Sequence, residues 1–424
     1  MKHVRLSHWL AVSLVALLVA AATATAAATS PNAQPYKGLT LTVWIDHQAQ
    51  PYTNLFDAFT KATGAKFDLQ VYSNQQVKWV AGARPDISMD FGTGADTKRL
   101  GTKNLFPLDN VAGVKNSLVT IPVVDGHRYF VPLEYPALWG IIYNRNVFKQ
   151  LGVALPKSLA DVINTCKAIK AKSSTVSPLY DAVADKWPTQ IMAFYQEIGD
   201  VMKGNWMKRV LAKQVTWADP YITQRLARYQ TLIKAGCYQD NMASGTYEGE
   251  QKAIATGATA MVAMPTSYIV PSLQATYGTS VVNNLGFIPL SPNGHNFQYS
   301  LQKSGTFYIP RTGNKKKEAA SLAFINFATG PAYQKLVNDL NSLPTIKGFT
   351  APKGAPAILL EEKKWLESGK GWNGETLQPF QWLGAPVENG STQLALGQIT
   401  PEQFGKNLQD AFAQAAQAAR YPGW

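Results

Sequence analysis

The sequence predicts an α/β protein of two lobes, each a mostly parallel sheet flanked by helices. First, strands and helices alternate through the N-terminal part, which is typical of a parallel sheet with right-handed crossovers. Second, 424 residues are too many for one ordinary core and suggest lobes of ~150 to 200 residues each. Third, the segment RYFVPLEYPALWGIIYNRNVF (128–148) joins a Pro-rich bend to an apolar, β-branched run, as expected of a strand that crosses between two bodies.

The N-terminus has the order of a secretory signal peptide. Lys2 and Arg5 precede an apolar run at 9–22, and small residues follow it. We expect cleavage between Ala24 and Ser30. A membrane anchor is the alternative, although the run is short and diluted by Ala and Thr. No cysteine follows the run directly and no later apolar run is long enough to span a bilayer, so the mature protein is expected to be soluble and without a lipid anchor.

The net charge is +13, or +11 without Lys2 and Arg5, so the mature chain is basic. Nucleic-acid binding is not predicted, because the basic run 315–317 lies at a helix start beside an acid and is better explained as a solvated face. An anionic small-molecule partner stays open.

Two cysteines in an exported chain allow one disulfide, between Cys166 and Cys237. The alternative is a pair of free thiols. Cys166 shares the apolar face of its predicted helix with Val162 and Ile169, where a buried thiol is ordinary.

The N-terminal part is predicted to contain strands at 39–45, 66–72 and 85–91 and a helix at 54–63 that ends at Gly64. In such sheets ligands bind beyond the carboxyl ends of the strands. This rule selects polar and aromatic candidates after the first and third strands: Trp44, Asp46, His47, Asp90 and Phe91.

At the predicted crossing, Pro132 and Pro136 exclude a helix, and a buried strand is expected over 138–143. Glu134 and Tyr135 lie at the bend. The remaining elements are mainly helices, followed by strands that return to the sheets. They comprise a helix that ends before Gly152, a helix capped by Ser158 and Asp161, helices at 189–202, 206–213 and 222–235, a strand at 261–264 with a loop carrying Tyr268, a strand at 285–290, and helices capped by Asn314 and Thr400.

The order of these blocks resembles the extracellular solute-binding proteins of bacterial ABC importers, in particular the sugar-binding family. The similar blocks are the Tyr-Asn strand end with its capped helix, the Pro-Asp strand, LFPLDN at 105–110, the Ala-Met strand, and the stretch SGTFYIP to LPT at 304–345. The resemblance implies a periplasmic-binding-protein fold with hinge crossings near Pro136, Pro292 and Arg311. It implies a signal peptide at 1–28, a first lobe of 29–137 plus 291–311, and a second lobe of 138–290 plus 312–424.

The resemblance also implies a function, which is sugar binding in the periplasm and delivery to permease subunits in the inner membrane, by a monomer. A maltodextrin or another oligosaccharide is the nearest implied cargo. Sugar rings pack their C–H faces on aromatic rings, while carboxylates bind the hydroxyl rim. Trp187, Tyr268 and Trp382 fall where maltodextrin binders place aromatic rings, and Glu134, beside Tyr135, falls near their acid at the bend. The order Asp90-Phe91 departs from that pattern.

Enzyme chemistry has little support in the sequence. No nucleophile elbow or dinucleotide fingerprint occurs, and the three histidines after the signal are isolated, so neither a cofactor nor a metal is expected. Two alternatives stay open: the same fold with an anionic solute such as a sugar phosphate or a uronate, and a secreted glycan-active enzyme that uses Asp46, Asp90 or Glu134 as its carboxylate pair.

Overall fold

The computed structural model describes residues 34–45, 52–72, 75–89, 94–198, 201, 205–300, 305–374, 379–380 and 382–424. The predicted signal peptide lies outside these residues. So do four candidate binding residues: Asp46, His47, Asp90 and Phe91.

The described chain alternates between short strands and helices. The strands are β1 Thr40–Ile45, β2 Lys66–Val71, β3 Ile87–Met89, β4 Val131–Pro132, β5 Ala137–Leu138, β6 Ile141–Asn144, β7 Ser177–Tyr180, β8 Thr259–Ala263, β9 Leu285–Ile288, β10 Phe297–Ser300, β11 Thr306–Tyr308 and β12 Gly371–Asn373. The helices are α1 Thr53–Thr63, α2 Gln75–Val80, α3 Gly94–Leu100, α4 Ala112–Lys115, α5 Arg145–Leu151, α6 Val162–Lys172, α7 Trp206–Leu211, α8 Pro220–Lys234, α9 Tyr247–Thr256, α10 Thr266–Tyr277, α11 Thr279–Asn283, α12 Lys315–Ala328, α13 Ala332–Asp339, α14 Ala357–Glu367, α15 Ala385–Ala395 and α16 Pro401–Ala418.

The first lobe is built on a sheet of order β2-β1-β3-β11-β4. Its aromatic core joins α1 to β2 and α12, where the ring of Phe56 stacks on Phe324 at 5.2 Å and lies 4.7 Å from Phe67. Helices α12 and α13 therefore complete this core. The predicted division had assigned 312–424 to the second lobe, whereas α12 and α13 pack in the first core, where the Phe324 ring contacts Phe67 of β2 and Phe307 of β11.

The second lobe is built on a sheet of order β7-β8-β6-β9, with a smaller sheet β12-β10-β5 beside it. Its core runs from the hinge through α6, α8 and α10 to the C-terminal helices α15 and α16. Trp217, fully buried, lies at the centre of the aromatic contacts with Phe194, Trp382 and Phe412.

The sheets are mixed, with fewer parallel pairs than predicted. Strand β1 pairs parallel with β2 and β3, but β11 enters antiparallel to β3 and β4. Likewise β6 is antiparallel to β8 and β9, while β7 is parallel to β8.

The strand predicted over 138–143 is two strands in different sheets, interrupted at Trp139 and Gly140. A Cβ added at Gly140 would lie 2.5 Å from the Phe287 ring. The close approach of the chain at this glycine lets it leave the small sheet and enter the main sheet of the second lobe.

The predicted capping residues are in place. The side chains of Asn314 and Thr400 accept hydrogen bonds from the N–H groups of Lys317 and Gln403, and Ser158 accepts from Asp161 N–H. Lys317 also contacts the buried Asp86 carboxylate, which in turn accepts from a backbone N–H of β1, so the basic run at 315–317 contributes to the first lobe.

Cys166 of α6 and Cys237, which follows α8, form a disulfide with a Cα–Cα distance of 5.6 Å. Both residues are fully buried in the second core. The bridge closes a loop with a sequence separation of 71.

Replacing both Cys166 and Cys237 by Ser is expected to lower the free energy of unfolding by roughly 2 to 4 kcal/mol, because the unfolded chain regains the freedom that the closed loop removes. Urea unfolding of the double variant and the wild type tests this. Wild type treated with a reductant serves as the matched control and should behave like the variant. Equal stability of all three samples would contradict the expectation.

Candidate functional site

A cavity of about 530 Å³ lies between the two lobes at the hinge. One wall is the hinge itself, with Glu134 and Tyr135, and the second is one face of α10. The third is 340–342 from the first lobe, with Leu359 of α14 closing the end. At the mouth, the Asn341 side-chain amide donates to Gln274 Oε1 at 3.5 Å, which links the lobes.

The hinge positions Glu134 through contacts with the first lobe. The hydroxyl of Tyr52, directly before α1, donates to Glu134 Oε1 at 2.5 Å. Gly305 lies against the Glu134 side chain, since a Cβ at this glycine would come within 2.2 Å of Glu134 Cβ. Sequence reasoning placed Glu134 at the bend correctly, but it gave no signal for Tyr52, which is distant in the chain.

Tyr268 lies in the first turn of α10, although the sequence predicted a loop. Pro271 lies inside this helix, where it lacks the N–H that would otherwise donate to the carbonyl of Ser267. The helix brings Thr266, Ser267 and Val270 to the cavity, and the Tyr268 side chain, 41% exposed, lies beside them.

Tyr268 belongs to a row of aromatic rings on the second lobe. Its ring centroid lies 6.1 Å from Trp187 and 6.4 Å from Trp139. The row extends at one end to Tyr247, 5.0 Å from Trp187, and at the other to Tyr195, 4.4 Å from Trp139. The Tyr247 hydroxyl donates to the Tyr268 carbonyl at 2.7 Å, which holds α9 against α10. We call Tyr247, Trp187, Tyr268, Trp139 and Tyr195 the aromatic row.

Sequence reasoning found Trp187 and Tyr268 but missed the other three rings. Trp139 falls within the buried strand that was expected over 138–143, and Tyr195 and Tyr247 lie on segments without a motif. Helix α10, which carries Tyr268, contacts both β5, which ends directly before Trp139, and α9, which begins at Tyr247.

Two other predicted residues lie elsewhere. Trp382 is 3% exposed and packs with Trp217 at 4.9 Å and Phe412 at 5.1 Å in the core of the second lobe. Trp44 is buried at the end of β1, with its ring edge-on to Tyr72 at 5.5 Å.

The polar groups beneath the cavity include a buried acid that sequence reasoning did not select. Glu362 of α14 is fully buried, and its burial raises the pKa of the carboxyl to about 8, although the Thr266 hydroxyl and the Leu138 N–H act to lower it. Burial also raises the pKa of Tyr135 well above its usual value, with a further contribution from Glu362. Glu362 lies three residues after Leu359 and therefore on the same face of α14. This spacing is the sequence signal that could have selected Glu362.

Among the described residues that line the cavity, Glu134 carries the only formal charge, and neither Lys nor Arg is present. A second cavity, of about 660 Å³, lies between α3 and the end of α16 and differs in charge. Lys98, Arg99 and Arg420 line it together with Asp96, which pairs with Arg99 at 2.9 Å.

Within the part of the chain that the structure describes, no group of three His, Cys, Asp or Glu side chains could hold a metal ion. Across the same residues, no helix combines the length and the apolar character needed to cross a bilayer.

Comparison with known proteins is consistent with this architecture. Residues 46–335 match the family model described as bacterial extracellular solute-binding protein. The "multiple sugar-binding protein" of Streptococcus mutans is 21% identical over 272 residues, which are 62% of this chain and 63% of that protein, so the similarity spans less than two thirds of the relative.

Solved structures of similar fold cover almost all of the described chain. A binding protein of Bacillus subtilis in an open conformation has a TM-score of 0.76 at 16% identity and covers 91% of this chain and 99% of its own. RafE of Streptococcus pneumoniae in its apo form has a TM-score of 0.73 at 16% identity, covering 89% of this chain and 98% of its own. RafE in complex with raffinose has a TM-score of 0.67 at 18% identity and covers 89% of this chain and 99% of its own.

Proposed function

Because this chain belongs to the bacterial extracellular solute-binding protein family, we propose that it binds a neutral oligosaccharide between its lobes and delivers it to the permease of an ABC importer. The aromatic row beside the interlobe cavity carries the proposal. The protein would act in the periplasm as a monomer, after removal of the signal peptide, and it would catalyse no reaction.

The aromatic row suits a sugar because a pyranose ring presents a face of C–H groups that packs on the electron-rich face of Trp or Tyr. Tyr268 is exposed, and Trp187 and Tyr247 are half-buried, so part of each ring is accessible to a ligand. The row holds several rings in succession. A series of rings fits a ligand of several sugar units better than a single small solute.

The charge of the cavity favours a neutral sugar over the anionic alternative. An acidic solute would meet the Glu134 carboxylate without a cation among the described lining residues to offset it. Neutral hydroxyl groups, in contrast, can donate to Glu134 and exchange hydrogen bonds with the hydroxyls of Tyr135, Thr266 and Ser267. The basic cavity at α3 and α16 is the site that an acidic solute would use.

A glycan-active enzyme has less support. Catalysis would need two carboxyl groups across the scissile bond. The Glu134 carboxylate accepts a hydrogen bond from the Tyr52 hydroxyl, and the family model that matches the chain is one of solute-binding proteins.

The cavity lies where the lobes meet, since its lining includes residues of the hinge, of α10 and of 340–342. A sugar that contacts both lobes would favour a closed state through contacts that the open state lacks.

A thermal-shift screen of neutral oligosaccharides, including maltodextrins and raffinose, against sugar phosphates and uronates tests the ligand class. A solute at 100 times its dissociation constant adds about 2.7 kcal/mol to the stability. A shift with neutral sugars supports the proposal. Shifts with acidic solutes only would replace it by the anionic alternative, and release of shorter sugars during incubation would indicate an enzyme.

Tyr268→Ala and Trp187→Ala are expected to weaken the binding of the sugar found in this screen by about 2 kcal/mol or more, because each removes a stacking surface. Calorimetric titration gives the dissociation constants. Tyr221→Ala is the matched control, since Tyr221 is also exposed (46%) but lies on α8 away from the cavity. Unchanged affinity in both row variants would contradict the assignment.

A further inference from the structure

The backbone at Lys186, directly before Trp187 of the aromatic row, has an unusual conformation. Lys186 has φ 62° and ψ −60°, a combination that residues with a Cβ seldom adopt. Across this residue, the Trp187 N–H donates to the Asp185 carbonyl at 2.7 Å. A hydrogen bond that spans one residue with these angles defines a γ-turn of the rare, strained form. Such strain persists only where the surrounding structure holds it in place.

Hydrogen bonds on the N-terminal side hold this turn. The Ala184 N–H donates to the Gly245 carbonyl at 2.9 Å, which ties the turn to the segment before α9. The Asp185 carboxylate accepts from the Tyr247 N–H at 2.6 Å, at the first residue of α9. Asp185 therefore joins the turn to the helix that begins with Tyr247, whose ring lies 5.0 Å from that of Trp187.

The C-terminal side of Trp187 is constrained as well. Pro188 restricts the residue before it to extended backbone conformations. The Thr189 hydroxyl donates to Asp181 Oδ1 at 3.0 Å, and the same carboxylate accepts from the Tyr229 hydroxyl at 2.6 Å. Thr189, Asp181 and Tyr229 are all buried. Trp187 is thus a half-buried residue on a short segment that is fixed at both ends.

We propose that Lys186 is a positioning residue, whose strained turn fixes the orientation of the Trp187 ring in the aromatic row before a ligand binds. The plane of this indole is inclined by 63° to the Tyr247 ring and by 60° to the Tyr268 ring. A sugar packs on the face of an aromatic ring, so the rotation of the indole determines how much of its face a sugar can use. This inference rests on the function proposed above and adds the residue that preorganises its stacking surface.

Preorganisation is the physical reason for such a turn. A ring that is already fixed binds more tightly than a mobile one, because less conformational freedom is lost on binding. The unliganded protein bears the cost, since a residue with a Cβ is held at a positive φ. Glycine adopts this conformation without that strain, and it adopts many others as readily. Lys186→Gly should therefore release both the strain and the fixed orientation of Trp187.

Calorimetric titration of Lys186→Gly with the sugar found in the screen is the first test. We expect binding to weaken about 3- to 10-fold, because the ring must be ordered when the ligand arrives. The melting temperature without ligand should equal or exceed that of wild type, because strain is removed. A merely structural role would instead lower the melting temperature together with the affinity.

Lys213→Gly is the matched control. Lys213 is also a lysine at positive φ, 57°, but it follows α7, and its ammonium group lies over the ring of Trp424, which is outside the aromatic row. This substitution relieves the same kind of backbone strain. It should leave the sugar affinity at the wild-type value.

A second measurement needs no ligand. In protein labelled with fluorotryptophan, the fluorine resonance of Trp187 is assigned from its loss in Trp187→Phe. We expect one narrow line for Trp187 in wild type and in Lys213→Gly. In Lys186→Gly the line should broaden or shift, because the indole exchanges between orientations.

Wild-type affinity in Lys186→Gly would overturn the role in binding and leave the proposed function intact. An unchanged fluorine resonance in this variant would overturn the fixing of Trp187 by the turn, and a lowered melting temperature with lost affinity would make Lys186 a structural residue instead. If wild type binds no sugar, the proposed function fails, and the fluorine spectra still decide whether Lys186 fixes the ring.

Discussion

Trp382→Ala is expected to lower the free energy of unfolding by roughly 3 to 5 kcal/mol, because it leaves a large cavity in a packed core. The indole lies against Trp217 and Phe412, and both of these rings are themselves buried. Sugar affinity of the folded variant should remain close to that of wild type. Urea unfolding measures the free energy of unfolding. Calorimetry at low temperature, where the variant is folded, measures the sugar affinity.

Tyr268→Ala is the contrasting variant, since its exposed ring should affect affinity and leave stability nearly unchanged. A Trp382→Ala protein with normal stability and lost affinity would return this residue to the role of a sugar-stacking ring, which sequence resemblance first indicated. Urea unfolding and calorimetry together distinguish a core role of Trp382 from a sugar-stacking role.

Glu362→Gln is expected to stabilise the protein in alkaline solution by an amount on the order of 4 kcal/mol, since a buried carboxyl that must ionise opposes folding. The pKa of Glu362 is raised from 4.5 to about 8 in the folded state. Between these values the unfolded chain has released the proton and the folded chain retains it. The contribution of Glu362 to stability is therefore complete below pH 4.5, decreases as the pH rises, and levels off above about 8.

The measurement is urea unfolding of both proteins at several pH values from 5 to 9. The difference in unfolding free energy between variant and wild type should grow with pH, which isolates Glu362 from other acids with raised pKa, such as Asp181 at about 6. A difference that is constant over this range would show that Glu362 does not change its ionisation there.

Local features of the fold were predictable because they depend on neighbours in the chain. The caps at Asn314 and Thr400 follow from side chains that accept hydrogen bonds from an N–H three residues on. The first two strands follow from alternation. In contrast, the break at Gly140 depends on the Phe287 ring, nearly 150 positions away, and no local pattern reports that contact.

The same distinction applies to the site. Trp187 and Tyr268 were selected from the resemblance to sugar-binding proteins, and Glu134 from its place at the bend; their roles in binding stay predictions. Glu362 was not selected, since burial gives it its chemistry and burial is a property of the assembled lobes. Trp382 was predicted to bind the ligand but lies in the second core. An aromatic residue suits a core as well as a binding surface, so its type alone does not distinguish the two.

The path of the chain between the lobes has a consequence for folding during synthesis. The first core contains residues from 41 to 133 but also α12, α13 and Ile346, so it lacks an essential layer until most of the polypeptide has been made. The second core likewise waits for α16 near the C-terminus. Neither half can reach a stable native form on the ribosome while the N-terminal part alone has emerged. We therefore expect neither core to be complete until the residues from 315 onward have been synthesised.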